Sequence, residues 1–256
     1  MTSAAIPDLD FSGKTAVITG ATRGIGRAIA TGLAARGASV LVHGTNAAAL
    51  ERLVAELAEG GHRAAAFAGD VAVPATAHAA LAQAEAKLGP VDILVNNAGI
   101  NLRSSTLEMT VEDWQRTLDV NLNGTLHFCR AALPGMIARG YGRIVNVSSS
   151  TSKTPHKNAA PAYGASKAAV NYLTMHLARE MAPHGIRINA VCPGPVETDM
   201  TTQWDDAYRS RVLASLPTGR LGATADIAAL VLFLASPAAE FIVGETININ
   251  GGSYMN

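Results

Sequence analysis

Tyr163 and Lys167 stand four residues apart in Tyr163-Gly-Ala-Ser-Lys167, at the start of a segment with helical periodicity. That spacing puts a phenol and an ammonium on one helix face, one turn apart. A free tyrosine, with a pKa of roughly 10, is a poor base at neutral pH. A neighbouring ammonium favours the phenolate and lowers that value. The pair can then move a proton to or from an oxygen while a carbonyl and an alcohol interconvert. Tyr-x3-Lys is common on amphipathic helices, so alone it is weak. Two further features strengthen it. Ser148 and Ser149 end the strand-like Gly142-Arg-Ile-Val-Asn-Val, where a hydroxyl would project from the strand's carboxyl edge toward a substrate oxygen. Asn121 interrupts a helical pattern with a polar residue of low helix propensity; its bland alternative is a satisfied buried amide.

A second chemistry is written near the N-terminus. Thr19-Gly20-Ala21-Thr22-Arg23-Gly24-Ile25-Gly26 follows the apolar run Thr15-Ala-Val-Ile and opens a helical pattern. Strand, glycine turn and helix start are the parts of a pyrophosphate cradle. Gly20 permits the turn, Gly24 lets the backbone approach phosphates, and Gly26 lets the helix pack closely. The spacing is Gly-x3-Gly-x-Gly rather than the usual Gly-x-Gly-x2-Gly. Asn96-Asn97-Ala98-Gly99 closes another strand with small residues that admit a bound cofactor. Chains that prefer NAD usually carry an acid after the second strand for the ribose hydroxyls. Here that segment reads His43-Gly44-Thr45-Asn46, with no carboxylate, and Arg23 is available to a 2′-phosphate. NADP(H) is therefore expected and NAD(H) stays possible.

These groups need a scaffold, and the hydrophobic pattern provides one. Strand-like runs at Thr15–Gly20, Ser39–His43, Arg63–Phe67, Val91–Asn96, Arg143–Ser148, Arg187–Cys192 and Thr246–Asn250 alternate with helical segments. The latter are Gly24–Arg36, Ala47–Glu59, Ala75–Leu88, Val111–Arg139, Ala162–Ala182 and Thr224–Leu234. Strands apolar nearly throughout imply burial on both faces. The expected fold is α/β: a single Rossmann-like doubly wound domain, 1–256, with a seven-stranded parallel sheet between helix layers. A ligand crevice would lie at the carboxyl ends of the strands. Two regions break the alternation at that same edge, a substrate loop at 149–162 and a long insertion at 193–217 that reads as a lid.

Composition bounds the partners. Twenty acids balance twenty bases and no basic run appears, which argues against nucleic acid. The run Ile227–Ala235 is too short to cross a bilayer, and Met1–Lys14 lacks the cationic and apolar regions of a signal peptide. Two cysteines, Cys129 and Cys192, fit neither a disulfide framework nor a metal site. A cytoplasmic enzyme without metal is expected.

The order of these motifs resembles the classical short-chain dehydrogenases/reductases, over Phe11 through Gly252. The resemblance rests on Thr19–Gly26, Asp70-Val71, Asn96–Gly99, Asn121, a serine before Tyr163-x3-Lys167, Pro193-Gly194 and Asn250-Gly-Gly. It implies Tyr163 as general acid/base, with Lys167 lowering its pKa and binding the nicotinamide ribose. It implies Ser149 as the group orienting the substrate carbonyl, and Asn121 as holder of a water in a proton relay. Cofactor contacts would come from Gly20, Thr22, Arg23, Gly24, Ile25, Gly26, Thr45, Asp70, Val71, Asn97, Ala98, Gly99, Tyr163, Lys167, Pro193, Gly194, Val196 and Thr198. Asp70 and Val71 would flank adenine, Asn97 the ribose, and Val196 and Thr198 the carboxamide. Counting back from Tyr163 by the family's usual spacing lands on Ser150, whereas the strand Gly142–Val147 points to Ser149. Both stay open, with strand register favouring Ser149.

The resemblance also implies a small carbonyl or alcohol substrate and a homotetramer. It extends to 3-oxoacyl-(acyl-carrier-protein) reductases and to sugar, sugar-acid or polyol dehydrogenases. Carrier-protein reductases tend to carry arginines where this chain has Gly140 and His184. Polar Asn101, Arg103, His156, Lys157 and Asn158 could instead bind hydroxyls or a carboxylate, and Trp204 and Met200 could add apolar contact. A third possibility is a non-catalytic dinucleotide sensor on the same fold.

Overall fold

The computed structural model describes residues 9–157, 159–198, 201 and 204–255. Seven strands form one parallel sheet: β1 (Thr15–Ile18), β2 (Ser39–Gly44), β3 (Ala64–Ala68), β4 (Val91–Asn96), β5 (Gly142–Val147), β6 (Ile186–Pro193) and β7 (Thr246–Ile249). Their order is β3-β2-β1-β4-β5-β6-β7. The chain winds outward from β1 in one direction and from β4 in the other. The crevice between the carboxyl ends of β1 and β4 is thus the topological switch point, where such sheets bind ligands.

The helices are α1 (Gly24–Ala34), α2 (Ala47–Glu59), α3 (Pro74–Lys87), α4 (Val111–Leu118), α5 (Gly124–Arg139), α6 (Pro161–Met181), α7 (Asp206–Ser215) and α8 (Thr224–Ala235). Strand side chains alternate between two cores. Ala16, Ile18, Val40, Val42, Ile93 and Val95 face Ile29, Leu33, Leu50, Val231 and Leu232 of α1, α2 and α8. Val17, Leu41 and Leu94 face Ala80, Phe128, Met136 and Leu177 of α3, α5 and α6. Both sheet faces are dry, which is why these strands read as unbroken apolar runs.

Two expectations need correction. The helical segment Val111–Arg139 is not one regular helix: between α4 and α5 a π turn spans Asp119–Asn123. The extra residue in that turn rotates the helix face at Asn121. The 193–217 insertion contains α7, which the sequence did not announce. Asp205 caps that helix by accepting from the Tyr208 N–H at 2.6 Å.

Candidate active site

One cleft of about 500 Å³ opens at the carboxyl edge of the sheet. Its walls come from the glycine turn, the ends of β2, β4 and β5, the loop after β5, the start of α6 and the segment after β6.

At one end the glycine turn is shaped by close backbone approach. Gly20 (φ +64°) and Gly24 (φ +55°) adopt left-handed conformations that favour glycine. A Cβ on Gly20 would meet Ala98 Cα at 2.8 Å. The turn is lashed to β4 by Asn97, whose Nδ2 donates to the carbonyls of Thr19 (3.0 Å) and Gly20 (2.9 Å). Thr19 Oγ1 in return accepts from the N–H groups of Asn97 and Ala98, each at 3.0 Å. The first turn of α1 thus faces the cleft with its unpaired N–H groups and partial positive charge, as an anion requires. Asp70 lines the same end. It accepts from Ala72 N–H at 3.0 Å and pairs with Arg116 at 2.7 Å. Partial burial would raise its carboxyl, but the Ala72 and Arg116 bonds prevail and lower it. Val71, Thr22, Arg23, Ile25 and Thr45 complete this half. A bare backbone cradle with one glycine positioned on Ala98 and another left-handed fits a dinucleotide pyrophosphate.

At the other end three side chains converge. Tyr163 lies in the first turn of α6, which opens on Pro161 where a missing N–H costs nothing. Lys167 is buried one turn on, its Nζ donating to the Val147 carbonyl at 2.7 Å and lying 5.8 Å from the centre of the Tyr163 ring. Ser148 Oγ donates back to the Lys167 carbonyl at 3.1 Å, so helix and strand end are stapled twice. Ser149 and Ser150 both line the cleft with Tyr163, Ser150 at the start of a short 3₁₀ turn. Burial raises the phenol above its ordinary 10, and the nearby Ser149 hydroxyl offsets part of that rise. Burial also pushes the Lys167 ammonium down to about 8, against an opposing contribution from Cys192.

Ala98, Gly99, Pro193, Gly194, Val196 and Thr198 line the middle of the cleft. A Cβ on Gly194 would meet Asn250 Cα at 2.7 Å, which explains two motifs of the resemblance at once. Asn101, Arg103, His156 and Trp204 also line the cleft. Asn158 and Met200 lie outside the described residues.

Lys157 does not line the cleft, and neither do two of the predicted catalytic and cofactor residues. Gly26 packs beneath the turn, where a Cβ would lie 2.3 Å from the Gly20 carbonyl oxygen and 2.5 Å from Asn97 Nδ2. Asn121 is fully buried behind Gly99. Its Oδ1 accepts from Ile100 N–H at 2.8 Å; its Nδ2 donates to the Ile100 carbonyl and to Ser166 Oγ, each at 3.0 Å. The side chain is satisfied by protein groups. Sequence reasoning passed over Ser166, which links that amide to the Tyr163 carbonyl at 2.8 Å, as well as Arg116 and Thr151. Ser166 was visible inside the Tyr-x3-Lys motif; the other two carried no local signal.

A family model described as enoyl-(acyl carrier protein) reductase matches residues 20–254. The chain is 41% identical to the 3-oxoacyl-[acyl-carrier-protein] reductase FabG of Vibrio cholerae, over 96% of this chain and all of that one. A 3-oxoacyl-[acyl-carrier protein] reductase from Brucella melitensis with bound NAD superposes with a TM-score of 0.91 at 35% identity, covering 100% of this chain and 99% of that one. A protein from Beutenbergia cavernae assigned as an NAD(P)-dependent gluconate 5-dehydrogenase, with NADP at low occupancy, also scores 0.91, at 38% identity and coverage of 96% and 99%. The chain belongs to the short-chain dehydrogenase/reductase family, whose members bind NAD(P). It is an oxidoreductase acting between keto and hydroxyl groups. Among the described residues no helix is long and apolar enough to cross a membrane.

Proposed function

We propose that this chain is an NADP-dependent ketoreductase of the 3-oxoacyl reductase kind, interconverting a ketone and a secondary alcohol. The observation that carries the reading is the convergence of Ser149, Tyr163 and Lys167 at one end of a cleft whose other end is the glycine turn. When bound, a nicotinamide cofactor supplies or accepts the hydride at the substrate carbon. Tyr163 gives or takes the proton at the substrate oxygen, and Ser149 donates a hydrogen bond to that oxygen. Lys167 keeps a positive charge beside the phenol at neutral pH, where it favours phenolate. Gly20, Gly24 and the start of α1 hold the pyrophosphate, with Thr22 and Ile25 alongside. Asp70 and Val71 flank adenine, Asn97 the ribose, and Val196 and Thr198 the carboxamide, with Ala98, Gly99, Pro193 and Gly194 as further cofactor contacts. Asn121 acts as a positioning residue through Ile100 and Ser166, and Gly26 through the shape of the turn.

Arg23 and Thr45 both line the cleft and no carboxylate stands in His43–Asn46, which supports a 2′-phosphate. Arg23→Ala is expected to weaken NADPH binding by roughly tenfold or more while leaving NADH binding unchanged. Equal losses for both would refute the NADP preference. Asn101, Arg103 and His156 in the cleft favour a second reading, a sugar-acid or polyol dehydrogenase. Acetoacetyl thioesters with NADPH, run beside polyols and aldonates with both oxidised cofactors, separate the two. No turnover on the whole panel despite tight cofactor binding would favour a sensor.

We also take the chain as one domain acting as a homotetramer in the cytoplasm. Exposed Tyr172 and Met175 on α6 and Phe241 near β7 support assembly, and two buried free thiols suit a reducing compartment.

A further inference from the structure

We propose that Thr151 is a positioning residue that holds the Ser149 hydroxyl as an obligate hydrogen-bond donor, aimed at Tyr163 and at the substrate oxygen; this rests on the reading of the site given above. A serine hydroxyl has one proton and two lone pairs. Thr151 occupies both lone pairs of Ser149. Its backbone N–H donates to Ser149 Oγ at 3.2 Å, and its own hydroxyl donates to the same atom at 2.8 Å. What remains is the proton of Ser149, which it can only donate, and the cleft it shares with Tyr163 offers the phenol oxygen and a substrate oxygen as acceptors.

The direction of that bond matters to the chemistry. A Ser149 that accepted from the phenol would hold the proton on Tyr163 and oppose its release. A Ser149 that donates stabilises the phenolate, and it offers the same donor to a carbonyl oxygen. Removing the Thr151 hydroxyl frees one lone pair and lets the serine rotate into the accepting orientation.

The turn carrying Thr151 is itself fixed. Ser152 Oγ donates to the Ser149 carbonyl at 2.5 Å and accepts from Asn171 Nδ2 at 2.7 Å. Lys153 Nζ donates to the Thr246 carbonyl at 2.6 Å, tying the turn to β7. The Ser149–Thr151 geometry is therefore set by α6 and the sheet. The titratable groups around the phenol are Lys167 on its own helix, with Cys192 on β6 acting on that lysine. His156 and Arg103 also line the cleft.

The test compares Thr151→Val, which keeps shape and backbone but lacks the hydroxyl, with Thr151→Ser, which restores it. The ionisation midpoint of Tyr163 is read in the cofactor-free protein by carbon-13 tyrosine NMR, with Tyr163→Phe assigning the signal and circular dichroism confirming the fold. Thr151→Val is expected to raise that midpoint by about half a pH unit or more, and to lower kcat by roughly three- to tenfold without changing NADPH affinity. Thr151→Ser should restore both. In a Ser149→Ala background, Thr151→Val should have no further effect on either readout. A wild-type midpoint in Thr151→Val, failure of Thr151→Ser to restore it, or a persisting effect without Ser149 would each overturn the proposal. If the wild-type protein turns over no carbonyl, the ketoreductase reading fails, while the titration still judges Thr151.

Discussion

The two halves of the cleft are made of different materials. The cofactor half is backbone: Gly20, Gly26 and Gly194 each sit where a Cβ would come within 3 Å of another main-chain atom. The substrate half is side chain: the Ser149 hydroxyl takes two hydrogen bonds from Thr151, the Lys167 ammonium gives one to the Val147 carbonyl, and the Tyr163 phenol shares their cleft. Steric exclusion fixes the first and polar contacts fix the second. Substitutions in the first half should therefore damage the fold and cofactor affinity, whereas isosteric ones in the second should leave the fold and remove chemistry.

Tyr163→Phe is the largest effect expected. It deletes one oxygen from a site whose shape depends on the ring, so kcat should fall by about 10²- to 10⁴-fold while the melting temperature and cofactor affinity hold. Loss of cofactor binding in step with turnover would dissolve the distinction between the halves. Gly26→Ala should do the reverse. Its methyl would lie 2.3 Å from the Gly20 oxygen, a backbone atom that cannot swing away. Overpacking of about 3 kcal/mol lowers the melting temperature of a chain this size by roughly 6–12 °C. A variant melting like wild type would show that the turn relaxes and that sterics do not define that half.

That difference also explains how much was legible in the sequence. Glycine suits a left-handed turn or a backbone crossing too close for a Cβ, so Gly20 and Gly24 on the first ground and Gly194 on the second announced their places. The five central strands, β1, β2, β4, β5 and β6, are buried on nearly every residue and announced themselves by largely apolar runs; the edge strands β3 and β7 are only partly buried. The substrate half was legible only at Tyr163 and Lys167, whose spacing shares one helix face. Strand register favours Ser149, because side-chain direction in a strand is fixed by the pleat, and Ser149 and Ser150 both line the cleft. Asn121 was noticed as a break in helical pattern, and a π turn stands there; that its amide would be consumed by Ile100 and Ser166 depends on contacts from other elements. Arg116 meets Asp70 from 46 residues away, and no local pattern encodes such a pair. Helix α7 was hidden because its ten residues, close to three turns, bury only Val212.

The ammonium of Lys167 offers a finer test. Burial lowers it to about 8 from 10.5, so the unfolded chain keeps the proton to higher pH than the fold does. Stability from this group therefore rises as pH climbs between those values, and below 8 the fold carries the full cost. Lys167→Met should stabilise the cofactor-free protein at pH 7 by about 2 kcal/mol after allowing for the lost bond to Val147. That corresponds to a melting temperature roughly 4–8 °C higher, with turnover lost. The gain should vanish toward pH 10.5, and a variant no more stable at pH 7 would mean that the ammonium is well solvated.

The smallest effect belongs to a side chain of the cofactor half that is neither glycine nor hydrogen-bonded. His43 is buried against Phe67 and Phe128, with ring centroids 6.2 and 5.1 Å away, and neither ring nitrogen has a partner. Burial lowers its pKa to about 4 from 6.5, with Asp70 acting the other way. The unfolded chain takes up a proton near 6.5 and the folded one only near 4, so stability is complete above that window and falls as pH drops through it. At pH 5.5 the loss is about 1 kcal/mol, or roughly 2–4 °C in melting temperature. His43→Leu keeps an apolar group there and leaves nothing to protonate, so its melting temperature should change less between pH 7 and 5.5. Identical acid slopes for the two proteins would mean that the imidazole is reached by water, and that this half of the cleft is less closed than its glycines imply.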